Sequence, residues 1–151
     1  MPLYLVRHAK AGSRQSYFAA DDERPLTPAG HAQADAIAAR FEGITVPRVL
    51  SSPYVRCVQT VAPLAARHAL TVEPLALLAE GAAFEPVLEL LHAAADGTVA
   101  CTHGDVLPEV VDALIRRGMR VDGPVDQRKG VVWALERVGG VITSGYSTPP
   151  P

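Results

Sequence analysis

Short apolar runs alternate with stretches of helical periodicity along most of the chain. The apolar runs are rich in aliphatic and β-branched residues and stop at polar ones, as is typical of strands buried in a parallel sheet. They lie at residues 3–6, 46–50, 70–72 and 98–102. Apolar positions recur at helical spacing in residues 29–41, 54–68, 87–95 and 107–117. This alternation predicts a mainly parallel sheet with helices on both faces.

The C-terminal part of the sequence predicts a β-hairpin at one side of that sheet. Residues 131–138 and 141–144 have strand character, and the Gly-Gly pair between them is a turn signal. The fold class is therefore α/β, a three-layer α/β/α sandwich around a mainly parallel, mixed sheet. We expect a single domain over residues 1–146 and a disordered, proline-rich tail over residues 147–151.

Three segments lack a clear period and are predicted to be mostly loop. Residues 11–25 and 120–129 are polar and charged, and residues 75–84 are of mixed character. A loop as long as the first, inside a compact domain, is usually functional. We expect residues 11–25 and 75–84 to set substrate specificity.

Composition narrows the class of protein. With 48% hydrophobic residues among 151, the chain can bury one sizeable core. Its formal net charge of −2, without a basic stripe, indicates no nucleic-acid partner. The sequence shows no signal peptide and no apolar run near the ~20 residues of a membrane span, so we expect a cytoplasmic protein without a membrane partner. Cys57 and Cys101 are expected to be buried free thiols of a reducing compartment.

Three of the predicted strands end in residues that suit phosphate chemistry. The first ends in Arg7-His8, the second leads into a helix with Arg56 in its first turn, and the third runs into His103. The carboxyl ends of parallel strands meet at one edge of a sheet, where ligands bind. Guanidinium groups match phosphate oxygens, and helix N-termini add backbone N–H donors. We therefore expect these four side chains to form one phosphate-binding site.

The two histidines point to catalysis as well as binding. An imidazole held in line with phosphorus can attack it and form a phosphohistidine. The attacking imidazole must be neutral, a form that nearby arginines favour. His8 directly follows an arginine at a strand end, so we assign it as the nucleophile. His103 would then hydrogen-bond the equatorial oxygens as charge develops on them.

Several motifs, in order along the chain, resemble those of the histidine phosphatase superfamily, which includes the cofactor-dependent phosphoglycerate mutases. They are Arg7-His8, Arg24–Ala34, Ser51–Thr60 and Thr102–Gly104. The short length and the segment Lys129–Glu136 resemble the small SixA-like branch. They are also similar to the phosphatase-like C-terminal halves of some actinobacterial Nudix hydrolases.

The resemblance implies a phosphoglycerate mutase-like fold and a phosphoric monoester hydrolase that uses neither a metal nor an organic cofactor. It implies phosphorylation of His8, with Arg7, Arg56 and His103 completing the phosphate pocket. The residue after His8 is alanine, where the family most often has glycine and the SixA-like branch also has alanine. Lys10 stands where mutase-like members often carry an acid, which argues against a mutase.

The family's phosphomonoesterases also carry a carboxylic acid that protonates the leaving group. Leu78-Ala79-Glu80 matches their short Leu-x-Glu pattern, so the resemblance makes Glu80 the candidate and Glu85 the reserve. A working acid would favour esters or anhydrides, because a protonated imidazole leaves from phosphohistidine with less help.

Other charged and imidazole side chains receive weaker assignments. The helical histidines are expected to be surface or boundary residues: His31, His68 and His92. Five basic side chains either line the rim of the pocket or are solvated loop charges: Lys10, Arg14, Arg24, Arg128 and Lys129.

Spacing argues against other catalytic classes. A cysteine phosphatase needs an arginine six positions after its cysteine, where this chain has Pro63 and Leu107. The sequence also lacks a P-loop, a His-Glu-x-x-His zinc helix and an Asp-x-Asp motif after a buried strand.

The leading hypothesis is therefore a metal-independent phosphatase that acts on a phosphorylated small molecule or a phosphoprotein, including protein phosphohistidine. Two alternatives stay open. One is a catalytically idle module that recognises a phosphate group. The other is a nucleotide or anhydride phosphatase that partners a Nudix enzyme.

Overall fold

The computed structural model describes residues 1–151 apart from the side chain of residue 16. Its strands are β1 Leu3–Arg7, β2 Val49–Ser51, β3 Val72–Pro74, β4 Val99–Thr102, β5 Arg120–Val121, β6 Val132–Val138 and β7 Val141–Thr148. Its α-helices are α1 Pro28–Arg40, α2 Val55–Arg67, α3 Phe84–Ala93 and α4 Val106–Arg116. Short 3-10 turns cover Arg14–Ser16, Asp21–Glu23 and Ala76–Leu78.

The strands form one mixed sheet in the order β3-β2-β4-β1-β6-β7-β5. The first four of these run parallel, β6 and β7 form the antiparallel hairpin, and β5 pairs in parallel with β7. Arg7 pairs with Thr102 across β1 and β4, and Ser51 pairs with Cys101 across β2 and β4. The carboxyl ends of the three chemistry-bearing strands are therefore neighbours, as predicted.

Alternate side chains of β1 enter two different hydrophobic cores. Leu3 and Leu5 pack in the core that α3 and α4 share with the sheet. Tyr4 and Val6 pack in the core on the opposite face, with α1 and α2. Side chains of a strand alternate between the faces of its sheet, so this pattern requires helices on both sides. The predicted three-layer α/β/α sandwich of the phosphoglycerate mutase-like class is confirmed.

The first helix begins as its sequence predicts. The Thr27 hydroxyl accepts a hydrogen bond of 3.1 Å from the Gly30 backbone N–H, and Pro28 occupies the first helical position. Both residues are favoured there, since the hydroxyl satisfies a free N–H and proline lacks the donor that would be unpaired. Helix α3 starts at Phe84, three residues earlier than predicted, because Pro86 is tolerated in its first turn.

The C-terminal strand extends further than the sequence indicates. Strand β7 continues to Thr148, which pairs with Val132, so two residues of segment 147–151 belong to the sheet. The Gln33 side-chain amide also donates to the Pro151 carbonyl oxygen at 3.5 Å. The hairpin turn fixes the register, and strand β6 thereby supplies pairing partners beyond the predicted end. The expected domain boundary at residue 146 lies inside this strand.

Two further features concern the class of protein. Cys57 and Cys101 are free and buried, as predicted. Of the helices in the described residues, none has the length and apolar character needed to cross a bilayer.

Candidate active site

A cleft of about 490 Å³ opens where β1, β2 and β4 end. We call it the His8 cleft, because His8 lies in its wall. Its charged lining residues are Arg7, Arg14, Arg24, Arg56, Glu80, Asp105 and Lys129. Basic groups predominate in this lining, so the cleft suits an anionic ligand.

His8 is fixed by its own backbone and by that of its neighbours. Its N–H donates to the Thr102 carbonyl oxygen at 3.0 Å, and its carbonyl oxygen accepts from the Gly130 N–H at 3.1 Å. Its ring Nδ1 lies 2.8 Å from the Ala9 carbonyl oxygen. A carbonyl oxygen can only accept, so Nδ1 carries the proton and Nε2 of the neutral ring is left with its lone pair.

The surroundings keep His8 neutral. Its side chain is buried, with 5% of the residue exposed. Burial lowers the pKa of His8 to about 3, and the charges of His103, Arg56 and Arg7 act in the same direction. The hydrogen bond to Ala9 opposes this shift without reversing it. His8 therefore presents an unprotonated Nε2 at neutral pH.

Arg7 lies against the backbone after β4. Its Nη1 donates to the Gln127 carbonyl oxygen at 2.8 Å. A Cβ atom on Gly104 would lie 2.7 Å from Arg7 Nε, so glycine is required for the guanidinium to take this position. Burial lowers the pKa of Arg7, and the charge of Asp105 opposes that shift.

Arg56 is almost fully buried at the start of α2, with 1% of the residue exposed. Its Nη1 donates to the Asp21 carbonyl oxygen at 2.8 Å, and its Nη2 donates to the Asp21 carboxylate at 3.1 Å. Nη2 also lies 3.4 Å from Glu80 Oε1. The guanidinium lies over the Tyr54 ring at 4.9 Å, a cation–π arrangement. These contacts fix the orientation of a charge that burial would otherwise disfavour.

Asp21 connects the 11–25 loop to the arginines of the cleft. Its carboxylate lies within 3.3 Å of Arg14, Arg24 and Arg56. Burial raises the pKa of Asp21, but these three arginines together bring it below its ordinary value. The sequence showed an acidic cluster in a long loop and gave no sign that one member would face the buried arginine.

The His103 ring is held at its Nε2 atom, and its Nδ1 atom has no hydrogen-bond partner among the described residues. Its Nε2 lies 2.8 Å from the Ser52 hydroxyl and 3.5 Å from Cys57 Sγ. The ring packs edge to face with that of His8, with centroids 5.4 Å apart and planes at 68°. The Ser52 hydroxyl also accepts from the Tyr54 N–H at 3.2 Å and keeps a proton that it can donate to Nε2. With Ser52 as the donor, Nδ1 of His103 carries the ring proton.

Buried polar atoms without partners are concentrated at this site. Among the side chains that the structure describes, they are Arg7 Nε, Arg56 Nε, His103 Nδ1 and Thr98 Oγ1. Of these, Arg7 and Arg56 line the His8 cleft, and the His103 ring packs against that of His8. An unpaired buried donor is destabilising by roughly 1–3 kcal/mol, so such groups call for an acceptor. Anion oxygens in the cleft would supply one.

Glu80 lines the His8 cleft, whereas Glu85 does not. Glu80 Oε1 accepts from Arg14 Nη2 at 2.8 Å and lies beside Arg56. Glu85 pairs with Arg117 at 3.0 Å on the exposed surface of α3. The reserve position is therefore excluded from the cleft by its place on the helix.

The remaining predicted residues divide clearly. Arg14, Arg24 and Lys129 line the His8 cleft, and Lys10 and Arg128 line a neighbouring one. The ring nitrogens of His68 and His92 lie within hydrogen-bonding distance of backbone carbonyl oxygens away from the site, and His31 is exposed.

Thr60 is a site-supporting residue to which the sequence analysis gave no role. Its hydroxyl accepts from the Ala9 N–H at 2.9 Å and donates to the Arg56 carbonyl oxygen at 2.7 Å. It thus ties the turn after β1 to the helix that carries Arg56. Thr60 and Ser52 both belong to a recognised motif, and that membership was the signal that could have identified them.

The family model described as "Histidine phosphatase superfamily (branch 1)" matches residues 3–83, more than half of the chain. The chain belongs to the histidine phosphatase superfamily. It is 32% identical, over 97% of its length, to an 8-oxo-(d)GTP phosphatase of Mycolicibacterium smegmatis, and it spans 48% of that protein. It is also 34% identical, over 76% of its length, to an uncharacterised protein of Picosynechococcus, of which the match covers 73%.

The solved structures agree on the fold. The protein histidine phosphatase SixA complexed with tungstate superposes with a TM-score of 0.77, covering 99% of this chain and 95% of that one. Their sequences are 21% identical, so this likeness concerns the fold. In the described residues, no group of three or more His, Cys, Asp or Glu side chains is placed to hold a metal ion.

Proposed function

We propose that the protein is a phosphoric monoester hydrolase that works through a phosphorylated His8. The observation that carries the proposal is the set of three unpaired buried donors, Arg7 Nε, Arg56 Nε and His103 Nδ1, around a neutral histidine. The donors match the oxygens of a phosphate group, and the free Nε2 of His8 supplies the nucleophile.

The reaction has two steps. In the first, the lone pair of His8 Nε2 forms a bond to phosphorus while the bond from phosphorus to the leaving oxygen breaks. In the second, water attacks the phosphohistidine, inorganic phosphate departs, and Nε2 regains its lone pair. Arg7, Arg56 and the Nδ1–H of His103 stabilise the charge on the equatorial oxygens in both steps.

The leaving oxygen of an ester needs a proton in the first step. We assign this proton transfer to Glu80, whose carboxyl group lies in the same cleft as His8. In the second step, the resulting carboxylate can accept a proton from the attacking water.

Two substrate classes have support from relatives. The fold is shared with SixA, described as a protein histidine phosphatase, which favours protein phosphohistidine. The relative named 8-oxo-(d)GTP phosphatase favours a nucleotide, but the chain matches about half of it. Under the nucleotide hypothesis, the protein acts together with a separate Nudix enzyme. The two free buried thiols favour a reducing compartment such as the cytoplasm.

Turnover of an aryl phosphate tests the proposal. We expect steady hydrolysis in the presence of EDTA and inhibition by vanadate, a mimic of the pentacoordinate phosphorus. His8→Asn should lose activity by several orders of magnitude, because no other group replaces the nucleophile. His31→Asn, on an exposed face of α1, serves as the matched control and should keep wild-type activity. Phosphate binding without turnover would instead indicate a recognition module, and wild-type turnover by His8→Asn would refute the mechanism.

A further inference from the structure

A second cleft adjoins the His8 cleft. Its volume is about 420 Å³, and it shares Arg7 and Lys129 with the His8 cleft. Lys10, Gln33, Arg128, Pro150 and Pro151 also line it. We call it the Lys10 cleft. The shared residues make the two clefts neighbours.

The charge of the Lys10 cleft is unbalanced. The chain has two lysines, Lys10 and Lys129, and both line this cleft. Among the described residues, neither lysine has a carboxylate within 4.0 Å, and none of the side chains lining the cleft is acidic. Arg128 differs, because Asp126 holds its Nη2 at 2.6 Å. The two lysines therefore supply positive charge that no carboxylate pairs with directly.

Burial and the neighbouring positive charges lower the pKa of Lys129. Burial lowers its pKa, and the charges of Arg7, Arg24, Arg56 and Lys10 lower it further. Positive charges crowded around Lys129 in this way are stabilised when an anion binds.

Hydrogen bonds fix the backbone of both lysines relative to His8. The Lys10 N–H donates to Gln33 Oε1 at 2.9 Å, and its carbonyl oxygen accepts from the Thr27 N–H at 3.0 Å. Lys129 directly precedes Gly130, whose N–H donates to the carbonyl oxygens of Arg7 and His8, each at 3.1 Å. Their side chains are flexible, but their backbones are anchored to the strand end that carries the nucleophile.

We propose that the Lys10 cleft binds a second phosphate group of the same substrate, so that the preferred substrate carries two phosphates. The proposal rests on the proposed function, since it assumes that the first phosphate lies beside His8. Arg7, common to both clefts, would contact both groups, which suits phosphates that are close neighbours, as in a diphosphate. Ammonium groups bind phosphate as point charges, and the lysines would add affinity without taking part in bond making.

A pair of stable phosphonates tests this placement. Methylenediphosphonate has two phosphonate groups that cannot be hydrolysed apart, and methylphosphonate has one. We expect calorimetry to show at least tenfold tighter binding of the diphosphonate to the wild type. Lys10→Gln should reduce that preference at least fivefold, and Lys10→Arg, which keeps the charge, should restore most of it. Arg67→Gln, a cation lost from the end of α2 away from both clefts, should keep the wild-type preference.

The lysines provide a second readout. Reductive methylation with isotope-labelled formaldehyde keeps their charge and gives each an NMR signal, which the Lys10→Gln and Lys129→Gln variants assign. The diphosphonate should shift both lysine signals. An unshifted Lys10 signal, or an equal loss of affinity for both phosphonates in Lys10→Gln, would overturn the proposal. Failure of the proposed function would appear differently, as absent aryl phosphate turnover with the diphosphonate preference intact.

Discussion

The ring Nδ1 of His8 donates a hydrogen bond of 2.8 Å to the carbonyl oxygen of the next residue, Ala9. This bond selects the tautomer, because it places the proton on Nδ1 and leaves the lone pair on Nε2. The same backbone is held by Thr60, whose hydroxyl accepts from the Ala9 N–H. The side chain at residue 9 takes no part in this contact and packs with Leu26 and Ala34 instead.

The protonation state of His8 can be measured directly. Since burial brings its pKa to about 3, we expect nitrogen NMR to show a neutral ring protonated on Nδ1 at pH 7 and still at pH 5. A His8 ring that takes up a proton between pH 7 and pH 5 would contradict the assignment.

A neutral, buried His8 should also make the folded protein less stable in acid. Its pKa is about 3 when folded and about 6.5 in the unfolded chain, so between these values the unfolded chain binds more protons. This part of the stability is complete above pH 6.5 and falls as the pH drops towards 3. From pH 7 to pH 5, the unfolding free energy of the wild type should fall by about 2 kcal/mol more than that of His8→Asn. Urea denaturation at the two pH values measures the difference, and parallel losses would refute it.

Much of the site follows from the sequence because the end of each apolar run marks where a buried strand reaches the edge of the sheet. Arg7, His8 and His103 lie at the ends of apolar runs. Arg56 lies in the first turn of the helix that follows another such run. Their convergence therefore required only that the strands run parallel. Asp21 could not be placed in this way. It lies in a loop whose course depends on contacts with Arg24 and Arg56 rather than on a local period.

The boundaries of the strands also include one feature that the sequence predicts and one that it does not. The Gly-Gly turn between β6 and β7 was predictable, since both glycines have positive φ, 59° and 80°, as a tight hairpin requires. The extension of β7 to Thr148 was not, because Ser147 and Thr148 carry little apolar signal and are ordered by pairing with β6.

Ser52 is expected to act on catalysis through His103. Removing its hydroxyl in Ser52→Ala takes away the proton donor to Nε2, so His103 should lose its preference for the Nδ1–H form. We expect kcat to fall by about tenfold to a hundredfold, roughly 1–3 kcal/mol, with KM changed less. Nitrogen NMR should report the altered tautomer of His103. Ser51→Ala removes the adjacent buried hydroxyl, which donates to the Ser52 carbonyl oxygen at 2.8 Å, and should leave that tautomer in place. An equal effect of both variants would indicate a packing role only.

Glu80 should matter in proportion to the demand of the leaving group for a proton. Glu80→Gln keeps the shape and removes the acid, so hydrolysis of an alkyl phosphate should slow by about a hundredfold or more. Hydrolysis of p-nitrophenyl phosphate, whose leaving group departs as a stable anion, should slow far less. The matched variant Glu85→Gln, on the exposed face of α3, should not discriminate between the two substrates. Equal losses for both substrates in Glu80→Gln would assign the side chain to the orientation of Arg14 and Arg56.

A phosphorylated His8 is the species on which the mechanism depends, and rapid quenching can trap it. Enzyme mixed with a radiolabelled aryl phosphate and quenched in base within the first turnover should carry label that is stable to base and lost in acid, as a phosphohistidine is. Mass spectrometry should place the phosphate on the peptide that contains residue 8, and His8→Asn should remain unlabelled. Full turnover without any labelled enzyme, or label on a peptide that lacks His8, would contradict nucleophilic catalysis at this residue.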